Sequence, residues 1–152
     1  MKVILADAPK NRLREPSEEV TDFDELPALV DKMIEALDDH PGISAPQLGK
    51  NLRVFVINKS VTRRKEHLVA INPQVTPQGK EVIEAEACLS LPNQAFKVAR
   101  KKRCKIKYQD FDGNWRTFKV KRFPARVMQH EIDHLDGILI DKSGQPIPIE
   151  KA

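Results

Sequence analysis

The sequence predicts an α+β fold built as a single domain over residues 1–152, and three observations carry that prediction. An amphipathic helical pattern lies near the start, short β-rich stretches fill the middle, and a second helical pattern near the end carries two histidines four residues apart. Helix, then strands, then helix lacks the alternation of a parallel α/β chain. The expected architecture is mixed or antiparallel sheets packed around a central helix that carries H-E-x-x-H. A chain of 152 residues is long enough to bury one real core.

The elements follow in order. Residues 1–20, with Pro9, Pro16 and several charges, read as an extended lead-in. From residue 22 to residue 39, Phe23, Leu26, Leu29, Val30, Met33, Ile34 and Leu37 recur at spacings of three and four, the apolar stripe of a helix. Thr21 or Asp22 is available as its N-cap, and His40-Pro41-Gly42 as its stop. Residues 52–58 read as a strand, and residues 68–72 as another that Pro73 ends. Residues 80–85 and 96–100 are expected to pair nearby. Residues 105–111 and 115–120 flank Asp112-Gly113-Asn114, a hairpin signal because Asp-Gly supplies positive φ values. Pro124 opens a second helix over about residues 124–135, its fixed φ suiting the first helical turn. After Asp136-Gly137, residues 138–140 read as a short apolar strand before a Pro-rich tail.

Composition narrows the function classes. The chain is 40% hydrophobic and 32% charged, the profile of a soluble globular protein. Nothing approaches the roughly 20 consecutive apolar residues of a membrane span, and Asp7 and Pro9 come too early for a signal peptide. A cytoplasmic location is therefore expected, with no membrane partner. In that setting Cys88 and Cys104 read as free thiols or metal ligands, not as a disulfide. The net charge of +4 is mildly basic.

The chemistry lies in Gln129-His130-Glu131-Ile132-Asp133-His134. Residues four apart share a helix face, with β-carbons about 5–6 Å apart, so both imidazoles reach one ion. Glu131, one step round, stands beside a water bound to that ion. A catalytic site needs a third protein ligand and an open position. Only Asp136, Asp141 and Glu150 follow His134 as candidates, with no further His or Cys. Upstream, Cys88 in Glu86-Ala87-Cys88-Leu89-Ser90 sits in a small-residue turn and completes a Cys-His-His set.

With those residues in view, the chain resembles the peptide deformylases over about residues 3–142. Three segments match that family's signatures in order: Gly42-Ile43-Ser44-Ala45-Pro46-Gln47, Glu86-Ala87-Cys88-Leu89-Ser90, and the segment from Gln129 to Gly137. The resemblance implies hydrolytic removal of the formyl group from N-terminal formylmethionine of newly made polypeptides, with release of formate. It implies a divalent metal on Cys88, His130 and His134, ferrous iron in the cell with zinc or nickel as replacements. It makes Glu131 the acid–base group, and the Gln47 side chain and Leu89 N–H the oxyanion donors. It places Gly42 against the substrate, and pairs Glu86 with Arg100 to hold the Cys88 loop. Val127, three residues before His130, is expected to wall the methionine pocket, and ordinary core packing accounts for it equally well. Gln47, following Pro46, reads on its own as a turn cap. The chain departs from the family pattern at His40 and Ala87, where glycine is usual, at Ser44, where alanine is common, and in a short C-terminal segment.

Two other functions fit part of the pattern. A zinc peptidase would share both histidines and Glu131 but take its third ligand downstream, so Cys88→Ala would leave its metal bound. A non-catalytic binder of formylated N-termini or ribosomes would lack a ligand or the base, and all five groups are present. The basic stretch from Lys97 to Lys107 reads first as a solvated strand face. A transient ribosome contact through it is a further expectation, with no sequence-specific nucleic-acid binding.

Overall fold

The computed structural model describes residues 3–148; the extreme ends of the expected domain, with Glu150, lie outside the described residues. Its elements are α1 (Leu26–Leu37), β1 (Gly42–Ser44), a 3-10 turn (Ala45–Leu48), β2 (Val54–Ile57), α2 (Lys59–Thr62), β3 (Leu68–Cys88), β4 (Leu91–Gln109), β5 (Trp115–Lys121), α3 (Phe123–Leu135), α4 (Ile140–Ser143) and β6 (Gly144–Pro146). The expected α+β class holds. The strands form one antiparallel sheet in the order β1-β2-β3-β4-β5, and β6 pairs with β4.

β2 is buried on both faces because helices cover both. Val54 and Val56 pack with Val30, Met33 and Leu37 of α1, while Phe55 and Ile57 pack with Ala125, Met128 and Leu135 of α3. Each fully buried aliphatic or aromatic side chain contributes roughly 1.5–3 kcal/mol, so these two interfaces hold most of the fold's driving force. A third cluster, Leu13, Cys88, Leu91, Phe96, Val98, Leu139 and Ile140, ties the lead-in and the C-terminal segment to the far end of the β3–β4 hairpin.

Four boundaries differ from the sequence expectation, each for a local reason. α1 starts at Leu26, not at residue 22, and its cap position is Glu25 without a side-chain bond. Pro27 has no N–H to give and is tolerated only in a first turn. The Asp22 carboxylate instead accepts from the Asp24 N–H, closing a turn ahead of the helix. Pro73 does not end a strand: β3 runs through Pro73 and Pro77 as one 21-residue element, with register shifts at Ile71/Gln74 and Gln78/Glu81. Bulges absorb a missing donor, so residues 68–72 and 80–85 belong to one bent strand. The β4–β5 connection carries a single positive φ, at Gly113 (82°), in a loop closed by Asp110 N–H to the Asn114 carbonyl. Residues 138–140 are not a strand. They lead into the short helix α4, and the strand comes after it, as β6.

α3 ends in a Schellman motif. The Ile138 N–H reaches the Asp133 carbonyl and the Gly137 N–H the His134 carbonyl, with Gly137 at φ 76°. A Cβ on Gly137 would also come within 2.7 Å of the Arg14 and Glu15 backbone. Glycine is required here twice over, and the lead-in is thereby pressed against the C-terminus of the helix that carries the site.

Candidate metal centre

α3 presents its functional side chains toward the turn between β3 and β4. Cys88 is the last residue of β3, and Leu89-Ser90 is the two-residue turn before its partner Leu91. One ligand atom each from Cys88, His130 and His134 lie within 4.8 Å of one another. The cluster forms the floor of a cleft of about 740 Å³, whose walls include Gly42, Gln47, Leu89, Val127 and Glu131. The structure therefore brings together every sequence-selected metal, acid–base and oxyanion candidate.

Each imidazole is fixed by a bond on the nitrogen away from the cluster. His130 Nδ1 lies 2.9 Å from Glu86 Oε1, and His134 Nδ1 lies 3.2 Å from Ser44 Oγ. With those Nδ1–H groups donating, both Nε2 atoms are left for an ion, and His134 Nε2 already sits 3.4 Å from Cys88 Sγ. A thiolate and two imidazoles are the donor chemistry of zinc or ferrous iron, and Cys88, His130 and His134 would hold such an ion. Glu131 supports the fit, because its buried Oε1 has no hydrogen-bond partner among the described residues. The residues present suit a divalent ion.

The electrostatics separate the roles. Burial pushes the Glu131 carboxyl up to about 7, only partly offset by the neighbouring His130 and Arg100 cations. Burial opposes charge on His130 as well, but bonding to Cys88 and Glu86 raises that imidazole to about 10. Burial moves His134 the other way, far below its usual range, with His130 adding to the effect. Cys104 is pushed up to about 11 by burial under α3 and is an inert core thiol.

Glu86 does more than the pairing expected for it. It accepts from Arg100 Nε (3.0 Å) and Nη2 (2.9 Å), from Arg126 Nη1, and from His130, so it links the β3 end directly to a metal-ligand candidate. Asp133 meets Arg100 from the other side. Arg126 also donates to the Val82 and Val98 carbonyls, and the Gln129 amide bonds both the N–H and the carbonyl of Lys101. Sequence reasoning assigned no role to Arg126, to Gln129 or to Ser90. Ser44, noted only as a departure, turns out to hold His134. One signal is available: Arg126 lies four residues before His130 and Gln129 three after Arg126, so both stand on the helix that carries the site, where buried polar groups need partners.

Four further residues singled out by the sequence find their places. Gln47 does cap a turn, accepting from the Ser44 N–H at 3.0 Å through Oε1, while its Nε2 donates to Ser90 Oγ at 3.2 Å. Only one of the two amide hydrogens is used in those bonds, so the other is open to the cleft that Gln47 lines. Val127 both packs in the core and lines the cleft. Gly42 lines the cleft and has a steric reason of its own besides the expected substrate approach: a Cβ there would meet Glu131 Oε2 at 2.7 Å. Ala87 carries no positive φ, so its methyl group fits a strand position that the register shift at Glu86/Cys88 leaves unpaired.

Gly42→Ala tests the space around Glu131. Its backbone angles suit alanine, so the fold is expected to persist while the Glu131 carboxyl is displaced. A shift near 1 Å at a reacting group costs about 10²-fold in rate. Steady-state kinetics should show that loss mainly in kcat, with thermal stability little changed.

A helix offering two imidazoles and a carboxyl, opposite a strand end offering a thiol, defines a mononuclear hydrolase site of the H-E-x-x-H kind. The sequence model of the polypeptide deformylases matches residues 2–146. A peptide deformylase of Acidobacterium capsulatum is 41% identical over 131 residues, 84% of this chain and 77% of that protein. Among solved structures, a peptide deformylase from Synechococcus elongatus in complex with actinonin superimposes with a TM-score of 0.86 at 29% identity, covering 95% of this chain and 79% of that one. A probable peptide deformylase from Synechococcus phage S-SSM7 superimposes with a TM-score of 0.83 at 38% identity, covering 94% and 99%. The chain belongs to the polypeptide deformylases, a metal-dependent hydrolase family whose reaction is deformylation of N-formylmethionine peptides.

Proposed function

We propose that this chain removes the formyl group from N-formylmethionyl polypeptides, using Cys88, His130 and His134 as metal ligands and Glu131 as the acid–base group. The observation that carries the reading is the cluster of three donor atoms within 4.8 Å, on the floor of a cleft, beside a buried carboxyl whose Oε1 makes no hydrogen bond among the described residues and lies 3.4 Å from His134 Nδ1. When bound there, a divalent ion supplies Lewis-acid charge and an acidified water. Glu131 takes the proton of the attacking water and returns it to the departing amine nitrogen, duties that suit a buried carboxyl beside the three donor atoms. The second hydrogen of the Gln47 amide and the Leu89 N–H offer donors to the developing oxyanion. Val127 offers apolar wall to the methionine side chain, and Gly42 leaves the Glu131 carboxyl its space.

We assign ferrous iron as the cellular metal on the strength of the family resemblance, with zinc or nickel as substitutes. A thiolate ligand needs a reducing compartment, so the cytoplasm is the expected location. No helix among the described residues is long and apolar enough to cross a membrane. The test is formate release from a short formyl-Met peptide by protein loaded anaerobically with ferrous iron. Turnover on the formylated peptide, and none on its acetylated counterpart, is the expected result. A fully loaded protein without turnover overturns the reading.

A further inference from the structure

The β3–β4–β5 sheet has a second face, turned away from α3, and its charge is unusual. On β4 the side chains of Cys104, Ile106 and Tyr108 are buried, so Arg103, Lys105 and Lys107 point outward. Their partners on β5 are Lys121, Lys119 and Thr117, and on β3 Gln78, Thr76 and Gln74. Two of these cross-strand pairs, Arg103/Lys121 and Lys105/Lys119, are like charges directly opposite each other, an arrangement that destabilises a sheet. No carboxylate stands at any of the nine positions. None of those five cations forms an ion pair among the described residues.

The asymmetry extends to the whole chain. Residues 101–122 hold nine basic and two acidic side chains, whereas residues 15–39 hold ten acidic and one basic. A shallow depression at the Arg103/Lys121 end is lined by Gly79, Lys80, Lys102 and Arg122 as well. A second depression shares Lys80, Lys102 and Arg122 with it, and shares Glu84, Phe123 and Arg126 with the catalytic cleft. The positive surface thus runs from the outer sheet face to Arg122, and Glu84, paired with Arg126, marks its border with the cleft mouth. At the opposite end Trp115 is half exposed, with the Lys107 ammonium 5.0 Å from its ring centre.

We propose that this face docks on double-stranded RNA through its phosphate backbone, holding the cleft close to where substrate emerges. The choice of RNA rests on the deformylase reading, because newly made chains leave an RNA-walled machine. Physical features agree with it. Same-face residues on one strand lie about 6.7 Å apart, twice the strand rise, a spacing comparable to that of successive phosphates. A polar, cationic sheet face suits the wide, shallow groove of an A-form duplex, which is read by shape and backbone contacts. A membrane surface is less well matched, since binding in its interface needs a broad apolar face and this one offers a single indole.

The experiment uses a fluorescein-labelled RNA hairpin and the full chain, and compares wild type with Lys105→Gln/Lys119→Gln/Lys121→Gln. Anisotropy titrations at several salt concentrations should give micromolar wild-type binding at low salt. The triple variant should bind at least tenfold more weakly, and its log K against log salt slope should be shallower by about 2–3, near one per lost phosphate contact. Formate release from the short formyl-Met peptide should be unchanged, and the melting temperature unchanged or raised because opposed like charges are gone. Equal RNA affinity in wild type and variant overturns the proposal. So does tighter binding to anionic vesicles, to poly-glutamate or to duplex DNA of the same sequence than to the RNA. Failure of formate release in both proteins would count against the deformylase reading alone, since the RNA titration contains no substrate.

Discussion

Glu131→Gln is expected to lower formate release by about 10³-fold, within the range for a positioned acid–base group, while the protein keeps its metal. The substitution preserves volume, and the space beside Gly42 that holds the carboxyl would be closed by even one added carbon there. Glutamine can still hydrogen-bond a water but cannot take its proton, so the loss should fall on kcat with KM nearly unchanged. Elemental analysis of the purified variant checks the metal; formate assays with formyl-Met peptide check the rate. A variant within tenfold of wild type would mean that the proton goes elsewhere.

Glu86→Gln is the second large effect, and it acts on stability and on metal together. The carboxylate is shared by His130, Arg100 and Arg126, and its side chain is only 6% exposed. Without it two buried guanidiniums lose their common counter-charge, and breaking a buried pair from one side costs roughly 3–5 kcal/mol. Loss of the charged acceptor for His130 Nδ1 should also weaken metal binding by 10–100-fold, the usual range for such outer partners. Burial alone would raise the Glu86 carboxyl, but hydrogen bonds from His130 and Arg100 outweigh it and bring the group down from 4.5 to about 2. A pKa lower in the folded than in the unfolded chain stabilises above the unfolded value. That contribution fades as pH falls from about 4.5 toward 2. Urea denaturation should therefore show a large gap between wild type and variant at pH 7 and a smaller one at pH 3. An equal gap at both would remove the charge on Glu86 as the cause. Competition with a chelator measures the metal affinity separately.

The parts of this protein legible from sequence are those whose physics is local. The His130/His134 pair follows from helical spacing, α3 from Pro124 and its apolar stripe, and the β4–β5 hairpin from Asp112-Gly113. Elements set by distant contacts were harder to read. Pro73 ends a strand by local rule, yet here a bulge against β4 absorbs it. Leu139 and Ile140 are apolar because they fill the cluster around Leu13 and Phe96, and not because they pair in a sheet, while Ile138 beside them is exposed. The same holds in the site. Cys88 was found because thiols are rare, whereas Arg126 and Ser44 look ordinary until β3 and β1 bring Glu86 and His134 beside them. Gly42 shows the limit most clearly, since its lack of a side chain is explained by a carboxyl 89 positions away in sequence.

The packing of α3 between the sheet and the cleft has a consequence for how the protein acquires its ion. The two imidazoles are aimed by Glu86 and Ser44, and the thiol by a hairpin end that sits in its own apolar cluster. The ligands are therefore arranged by contacts the protein makes with itself. In small zinc-folded domains, by contrast, binding and folding are one event. Here the two are expected to be separate, so that loading is a reversible exchange in which one divalent ion replaces another without the chain passing through an unfolded state. Supply and oxidation in the surroundings would then decide which ion is carried, long after folding is complete.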